Sequence, residues 1–430
     1  MYIKSIYTYH FERDGKYYLY NSQSGLFCEI SQATYSVLYD REYSCMDKST
    51  LDYLIEKCVI INEDEKYLYY DMCKSKWLMR RYNDATLGLV IAPTVQCNFD
   101  CPYCFESKIE NGIMTDEVEN SLVEFIKIRE NTKTINLTWY GGEPLLAFER
   151  IKSIWHRLTE EFPDVKVVNQ SIVTNGWLLN NEVFRFFSST NLGHMQITLD
   201  GVEENHNRTR CLKNGNPTFD VIYANIIKAT KELPNTKISV RVNVNRNNSR
   251  DYAIIARRLE KEGCNNLSVY PGFIREDTTD GLSLKYSSYT GCGCHSFYVD
   301  LKSEGLKIKF FPREQIGKGC MINSMHSCLI GPKGEIYKCW NDVGHTDRVV
   351  GNIADNKKSN HVRLTRYMNE TSVFSDDKCK DCHVFPICDG GCGYYRYRNK
   401  FENGAFNLCT RYKDNKVLED SLLQSIENNK

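Results

Sequence analysis

Eight cysteines crowd into the stretch from Cys320 to Cys409, where the hydrophobic periodicity that precedes them fades. A segment of that kind has no large apolar core to hold it, and metal centres are the physical alternative. The whole chain carries nineteen cysteines in 430 residues. That count is odd, and Met1 to Glu12 alternates polar and aromatic residues without the apolar core of an export signal. In a reducing cytosol, clustered thiols hold metals more often than they pair as disulfides. No apolar run approaches the roughly 20 residues of a membrane span, so a cytoplasmic protein is expected. Lys plus Arg matches Asp plus Glu at 55 each, without the basic excess of a nucleic-acid binder.

A chain this long predicts two or three domains. Residues 1–84 are Tyr-rich and built of short alternating segments. His10 to Tyr20 reads as a hairpin turned by Asp14-Gly15, with a further turn at Ser22–Gly25 and helices near Ala33–Leu38 and Ser49–Glu56. This is a small α+β domain. From residue 85 to 315 the rhythm changes to strands alternating with amphipathic helices. Leu87–Ala92 is a continuous apolar run, as a parallel strand covered on both faces requires. Asp116 is placed to cap a helix striped by Val118, Leu122, Phe125 and Ile126. Further strands are expected at Ile135–Trp139, Val165–Val173, Met195–Leu199, Ile238–Val244 and Leu267–Tyr270. Helices are expected around Glu182–Phe187, Phe219–Thr230 and Asp251–Glu262. Six such units make an α/β fold, a partial (β/α)6 TIM-like barrel, whose reactive groups belong at the strands' C-terminal ends. Residues 316–430 form the cysteine-rich remainder.

Cys97-x3-Cys101-x2-Cys104 lies on the loop after the first buried strand. Three thiolates in one tight loop suit a [4Fe-4S] cluster whose fourth iron has no protein ligand and is open to a small chelating molecule. A zinc site completed elsewhere is the alternative for the bare spacing. Tyr140-Gly141-Gly142-Glu143-Pro144 follows the second strand, where a glycine turn lets backbone approach a ligand closely and Glu143 is placed to accept from an ammonium group.

With these segments the chain resembles the radical S-adenosylmethionine (SAM) family. The shared features are CxxxCxxC with the aromatic Tyr103 before its last cysteine, GGEP, Thr174-Asn175-Gly176, and Thr198-Leu199-Asp200-Gly201 followed by His206 to Arg210. The resemblance implies a cluster held by Cys97, Cys101 and Cys104. It implies a 5′-deoxyadenosyl radical made from SAM, with Tyr103 at the cofactor. Gly141, Gly142 and Glu143 are then expected at the methionine amine, and Thr174 and Arg210 near its carboxylate or ribose.

Farther on, Cys320-x13-Gly334-x4-Cys339, Cys379-x2-Cys382-x5-Cys388-x3-Cys392 and Cys409 are similar to the SPASM extension of that family, which holds two auxiliary [4Fe-4S] clusters. By this resemblance Cys320, Cys339 and Cys392 ligate auxiliary cluster I. Cys379, Cys382, Cys388 and Cys409 ligate auxiliary cluster II. Cys328 is expected to close cluster I; if it does not, that cluster keeps an iron open to a substrate thiolate. Cys28, Cys45, Cys58, Cys73, Cys211, Cys264, Cys292 and Cys294 are left, and most of them read as small buried hydrophobes. The run Gly291–His295 lacks an evident fourth partner for a metal.

SPASM-bearing relatives act mostly on peptides, and the resemblance implies a precursor-peptide substrate and a reducing partner such as flavodoxin or ferredoxin. Residues 1–84 fit a leader-recognition element that takes an added strand, or a packing extension of the barrel. Anaerobic sulfatase maturases place a catalytic Asp directly after the cysteine matching Cys339. Here that position is Trp340, and Asp342 lies two residues on. Lys338-Cys339-Trp340-Asn341 and Gly351-Asn352-Ile353 look like maturases that install cross-links, with a sulfur-to-carbon thioether preferred and a carbon–carbon link next. A zinc-ribbon scaffold without activity is the non-enzymatic alternative, and it leaves GGEP unexplained.

Overall fold

Asp14 and Gly15 both adopt positive φ, 54° and 72°, the mirror-image turn that matches strand twist. They join β2 (Thr8–Arg13) to β3 (Lys16–Asn21), and β4 (Phe27–Ile30) completes a three-stranded antiparallel sheet in the order β2-β3-β4. A separate pair is formed by β1 (Tyr2–Lys4) and β5 (Ile60–Asn62). The structure is a computed structural model that describes residues 1–104, 106, 112–274, 293–316, 319–355 and 360–427; Cys292 lies outside the described residues.

Alternation along β3 divides its side chains between two cores. Leu19 packs with Leu38 of α1 (Gln32–Asp40), Leu54 of α2 (Lys48–Glu56), Val59 and Ile60. Tyr18 and Tyr20 pack the other way, with Phe11, Val384, Ile387, Leu418 and Leu422. In a third cluster Tyr70 and Cys73 of α3 (Leu68–Arg81) meet Tyr7, Val373 and Phe385. Compact packing therefore gathers residues 1–82, 291–323 and 367–430 into one unit, and 83–290 with 324–366 into another. Beside a small core of its own, the N-terminal segment shares two apolar clusters with residues 373–422.

The second unit is built on β6 (Thr86–Thr94), β7 (Thr134–Gly141), β8 (Lys166–Thr174), β9 (His194–Leu199), β10 (Lys237–Val244) and β11 (Leu267–Phe273). Each is parallel to its neighbour in chain order. Parallel neighbours need long crossovers, which helices supply. These are α4 (Asp116–Lys127), α5 (Phe148–Glu161), α6 (Asn181–Ser189), α7 (Glu203–Thr209), α8 (Phe219–Glu232) and α9 (Ser249–Glu260). This is the partial (β/α)6 barrel of an α/β fold. The stripe of α4 is buried as its spacing implies, but the cap is Thr115, whose hydroxyl accepts from the Val118 N–H; Asp116 sits in the first turn. Beyond β6 the sheet continues with β12 (Ser327–Ile330), parallel to it, and then antiparallel β13 (Glu335–Tyr337) and β14 (Gly351–Asn352). Among the described residues no helix is long and apolar enough to cross a membrane.

Candidate functional site: thiols at the strand ends

The apolar run of β6 ends at Thr94, and the chain emerges into the loop Cys97–Cys104. Backbone bonds pin that loop to the segment after α7: Asp100 N–H donates to Cys211 O (3.2 Å) and Lys213 N–H to Asn98 O (3.0 Å). Within it the Phe99 N–H donates to Cys97 Sγ at 3.4 Å. Burial pushes all three thiols up, Cys101 to about 11 and Cys104 to about 12. The charges of Cys97 and Cys101 add to the rise at Cys104, and that of Cys97 to the rise at Cys101. Buried thiols this reluctant to ionise suit a site where iron supplies the compensating positive charge. Among the described residues no three His, Cys, Asp or Glu side chains have the spacing that holds a single metal ion.

The two glycines of β7's end are there for packing. A Cβ on Gly141 (φ 117°) would meet Thr94 O at 2.1 Å, and one on Gly142 would meet Gln96 O at 2.3 Å and Val95 O at 2.5 Å. Only glycine lets this strand end lie against the backbone that leads into Cys97. Glu143 N–H then donates to Gln96 O at 2.8 Å. Its fully buried carboxylate ties three elements: Oε1 accepts from Leu145 N–H (3.0 Å) and the Thr174 hydroxyl (2.8 Å), and Oε2 from Asn175 N–H (2.7 Å). Burial pushes Glu143 up to about 7 despite those donors. Oε2 retains acceptor capacity.

Tyr103 centres a second buried network. Its hydroxyl donates to Asp200 Oδ2, and accepts from Arg210 Nη1 (3.0 Å) and Asn243 Nδ2 (3.2 Å). Thr209 Oγ1 (3.0 Å) and Asn243 Nδ2 (3.1 Å) also donate to the Asp200 carboxylate. Burial raises Tyr103 and Asp200 alike, with the Arg210 guanidinium opposing in both. Arg210 lies over the Phe99 ring at 5.5 Å. Beneath Asp200 sits His206, fully buried and driven down to about 3 by desolvation and then by Arg210. Its Nδ1 accepts from Asp200 N–H (3.2 Å), and its Nε2 faces Thr218 Oγ1 at 2.9 Å. Asn98 Nδ2 and Arg210 Nε are buried without a hydrogen-bond partner. Two unsatisfied donors beside three thiols are what a polar cofactor would satisfy.

Thus Tyr103, Gly141, Gly142, Glu143 and Thr174 stand at strand ends or on the thiol loop, and Arg210, which caps the C-terminus of α7, reaches Tyr103. Asp200 and His206, both part of the shared sequence pattern, join them, as do Asn243 and Glu106, which had not been singled out from sequence. Asp200 directly follows β9 and Asn243 lies at the end of β10, so the strand-end rule could have found Asn243 as well. Glu106 is buried, hydrogen-bonded by Tyr140 and pushed up to about 7 by burial. Tyr140 in turn meets Trp340 edge-on, ring centres 4.3 Å apart.

The remaining cysteines divide. Cys379, Cys382, Cys388 and Cys409 fall in the first unit. Burial pushes Cys379 to about 11, aggravated by Asp376 and relieved by Arg396, with Cys388 and Cys382 close enough to add. Cys388 accepts from the N–H groups of Gly390 (3.4 Å) and Thr410, which brings Cys409 alongside. Also in this unit, Cys320 lines a pocket with Trp77, Asn323, Gly390, Gly391 and Gly393, and Cys392 sits between the last two glycines. Cys328 and Cys339 belong to the other unit. Cys328 is buried in β12 opposite Leu89, its thiol raised by burial and relieved by Lys338 and Arg129. Cys339 follows β13 after a hairpin turn that needs Gly334 at φ 81°.

A parallel sheet with a three-thiol loop at its first strand end and a buried polar network beside it is the arrangement of a radical SAM domain, and the cysteine-rich remainder has SPASM-like features. Residues 91–269 match the family model of the radical SAM superfamily. The chain is 27% identical over 367 residues to a cysteine-type anaerobic sulfatase-maturating enzyme of Clostridium perfringens, covering 76% of this chain and 95% of that one. Its fold is similar to that of a sulfatase maturase crystallised with AdoMet and a peptide (TM-score 0.60, 22% identity, covering 80% of this chain and all of that one). It is also similar to Streptococcus suis SuiB bound to its precursor peptide SuiA (TM-score 0.52, 14% identity, 93% and 97% covered). A radical SAM enzyme takes a [4Fe-4S] cluster and SAM, and the thiols, unsatisfied donors and network described above fit that pair.

Proposed function

We propose that this enzyme matures a ribosomally made precursor peptide, using three [4Fe-4S] clusters and SAM to install a cross-link, preferably a cysteine sulfur-to-carbon thioether. The carrying observation is the residue after Cys339. Trp340 lies edge-on against Tyr140 and offers an indole where formylglycine formation calls for a carboxylate. Asp342 is fully buried, 3.9 Å from Arg348, and poorly placed to act as a base.

When bound, the clusters supply the electron that splits SAM into methionine and a hydrogen-abstracting 5′-deoxyadenosyl radical, and take back the one released as the peptide carbon closes on sulfur. Cys97, Cys101 and Cys104 hold the first cluster. Gly141, Gly142, Glu143 and Thr174 would line the SAM site, with Tyr103 and Arg210 as its fixed polar wall. Cys379, Cys382, Cys388 and Cys409 hold a second cluster, and the pocket at Cys320 and Cys392 contributes to a third. In the first unit, β2 and β4 are the edges of a sheet able to accept a leader strand from the peptide. A flavodoxin or ferredoxin provides electrons.

Anaerobic purification followed by iron, sulfide and zinc analysis tests the cofactors: about twelve irons per chain are expected, and zinc with little iron refutes the reading. Incubation with SAM, a reductant and a cysteine-containing peptide encoded nearby is then expected to remove two hydrogens and block thiol alkylation. Sulfatase maturation is a second reading, favoured by the 27% identical relative. It predicts instead a hydrazide-reactive aldehyde on a sulfatase-derived peptide.

A further inference from the structure

Hydrogen-bond donors converge on the sulfurs of the second thiol set. Gly390 N–H and Thr410 N–H reach Cys388, and the ammonium of Lys413 donates to Cys382 Sγ at 3.4 Å. Lys413 is held by its backbone: it closes the turn Arg411–Lys413 directly after Cys409, with its N–H on Thr410 O at 3.0 Å. The Arg396 guanidinium ties down Asp376 and the Gly390 carbonyl (2.9 Å), offsetting the carboxylate nearest Cys379. Asp389 remains as the negative neighbour of Cys388.

A cluster gains negative charge when it is reduced. A cation within hydrogen-bond reach of a ligating sulfur stabilises the reduced form more than the oxidised one and raises the potential. We infer that Lys413 is a positioning residue for electron transfer: it raises the reduction potential of the centre held by Cys379, Cys382, Cys388 and Cys409, making that centre the electron acceptor of the reaction. The inference rests on the auxiliary cluster proposed above.

The test uses full-length protein reconstituted with iron and sulfide, in which Cys97, Cys101 and Cys104 are replaced by Ala so that only auxiliary clusters remain. Iron analysis comes first, with about eight irons expected. Potentiometric titration followed by electron paramagnetic resonance then compares Lys413 with Lys413→Met and Lys413→Arg. The Met variant is expected to lower one midpoint by about a tenfold change in the one-electron equilibrium constant, or about 59 mV. The Arg variant keeps it. Full iron with both midpoints unmoved in Lys413→Met overturns the role of Lys413 and leaves the clusters standing. Loss of iron in the background protein itself overturns the auxiliary-cluster reading and this inference with it.

Discussion

Both thiol groups contain sulfurs pushed up by burial, but they differ in spacing and in the charges around them. Cys97, Cys101 and Cys104 face carboxyl groups, Glu143, Glu106 and Asp200, with Arg210 as the counter-charge among those that act on them. Cys379, Cys382 and Cys388 have Asp376 and Asp389 nearby, but Arg396 occupies the first and Lys413 reaches a sulfur directly. Anionic surroundings lower a cluster's potential and cationic ones raise it. On the proposed assignment of a cluster to each set, the first site is suited to giving an electron to SAM and the second to receiving one. On that proposal, the placement of lysine and carboxylate is what separates donor from acceptor.

The largest effect that can break this contrast is deletion of a thiol on either side. Cys101→Ala is expected to abolish release of 5′-deoxyadenosine while leaving about two thirds of the iron in place. Cys382→Ala is expected to retain SAM cleavage and lose cross-linked product. If Cys382→Ala abolishes SAM cleavage as fully as Cys101→Ala, the division of labour between the sites is wrong.

A finer probe uses the glycines. Gly142→Ala drives a methyl into Gln96 O and Val95 O, and Gly391→Ala drives one into Leu408 O at 2.4 Å. Each clash is with backbone, which cannot swing away, and each is expected to cost about 1–3 kcal/mol in thermal or denaturant unfolding. The iron that is lost should differ: the SAM-cleaving cluster with Gly142→Ala, an auxiliary one with Gly391→Ala. Equal loss from both clusters in either variant would show one cooperative scaffold in place of two.

How legible was this in the sequence? The strands were, because Leu87–Ala92 and its counterparts are apolar runs too short for helices and followed by amphipathic ones. So was the Asp14-Gly15 turn. The cap at Thr115 was misplaced by one residue because Thr115 and Asp116 are both good caps, and only the backbone angle at the start of α4 decides between them. The purpose of Gly141-Gly142 was half legible: a close approach was evident, but its partner is the chain's own carbonyls. Glu106 and Asn243 were missed for a physical reason. Their roles come from contacts such as Asn243 to Tyr103, 140 residues apart, which no local pattern encodes. The sharing of a core between the N-terminal sheet and Leu418 and Leu422 is long-range in the same way.

The smallest prediction concerns the network beneath the first site. His206 is held neutral, with its folded pKa near 3 against an ordinary 6.5. Below pH 6.5 the unfolded chain takes up a proton that the folded chain refuses, so stability falls as pH falls. Between pH 6.5 and 5.5 this removes about 1 kcal/mol. Glu143 and Glu106, both pushed up to about 7, act with the opposite sign: they stay protonated in the fold and favour it as the pH drops below 7. The raw pH profile therefore mixes both, and the difference between the native chain and His206→Gln isolates the imidazole. The variant is expected to lose stability at pH 7, because Asp200 N–H and Thr218 lose a well-placed ring, yet to lose less on acidification, by about 1 kcal/mol over that unit. Denaturant unfolding at the two pH values measures it. Parallel slopes would mean that His206 takes up a proton in the fold, and that the polar wall around Asp200 and Arg210 is open to water.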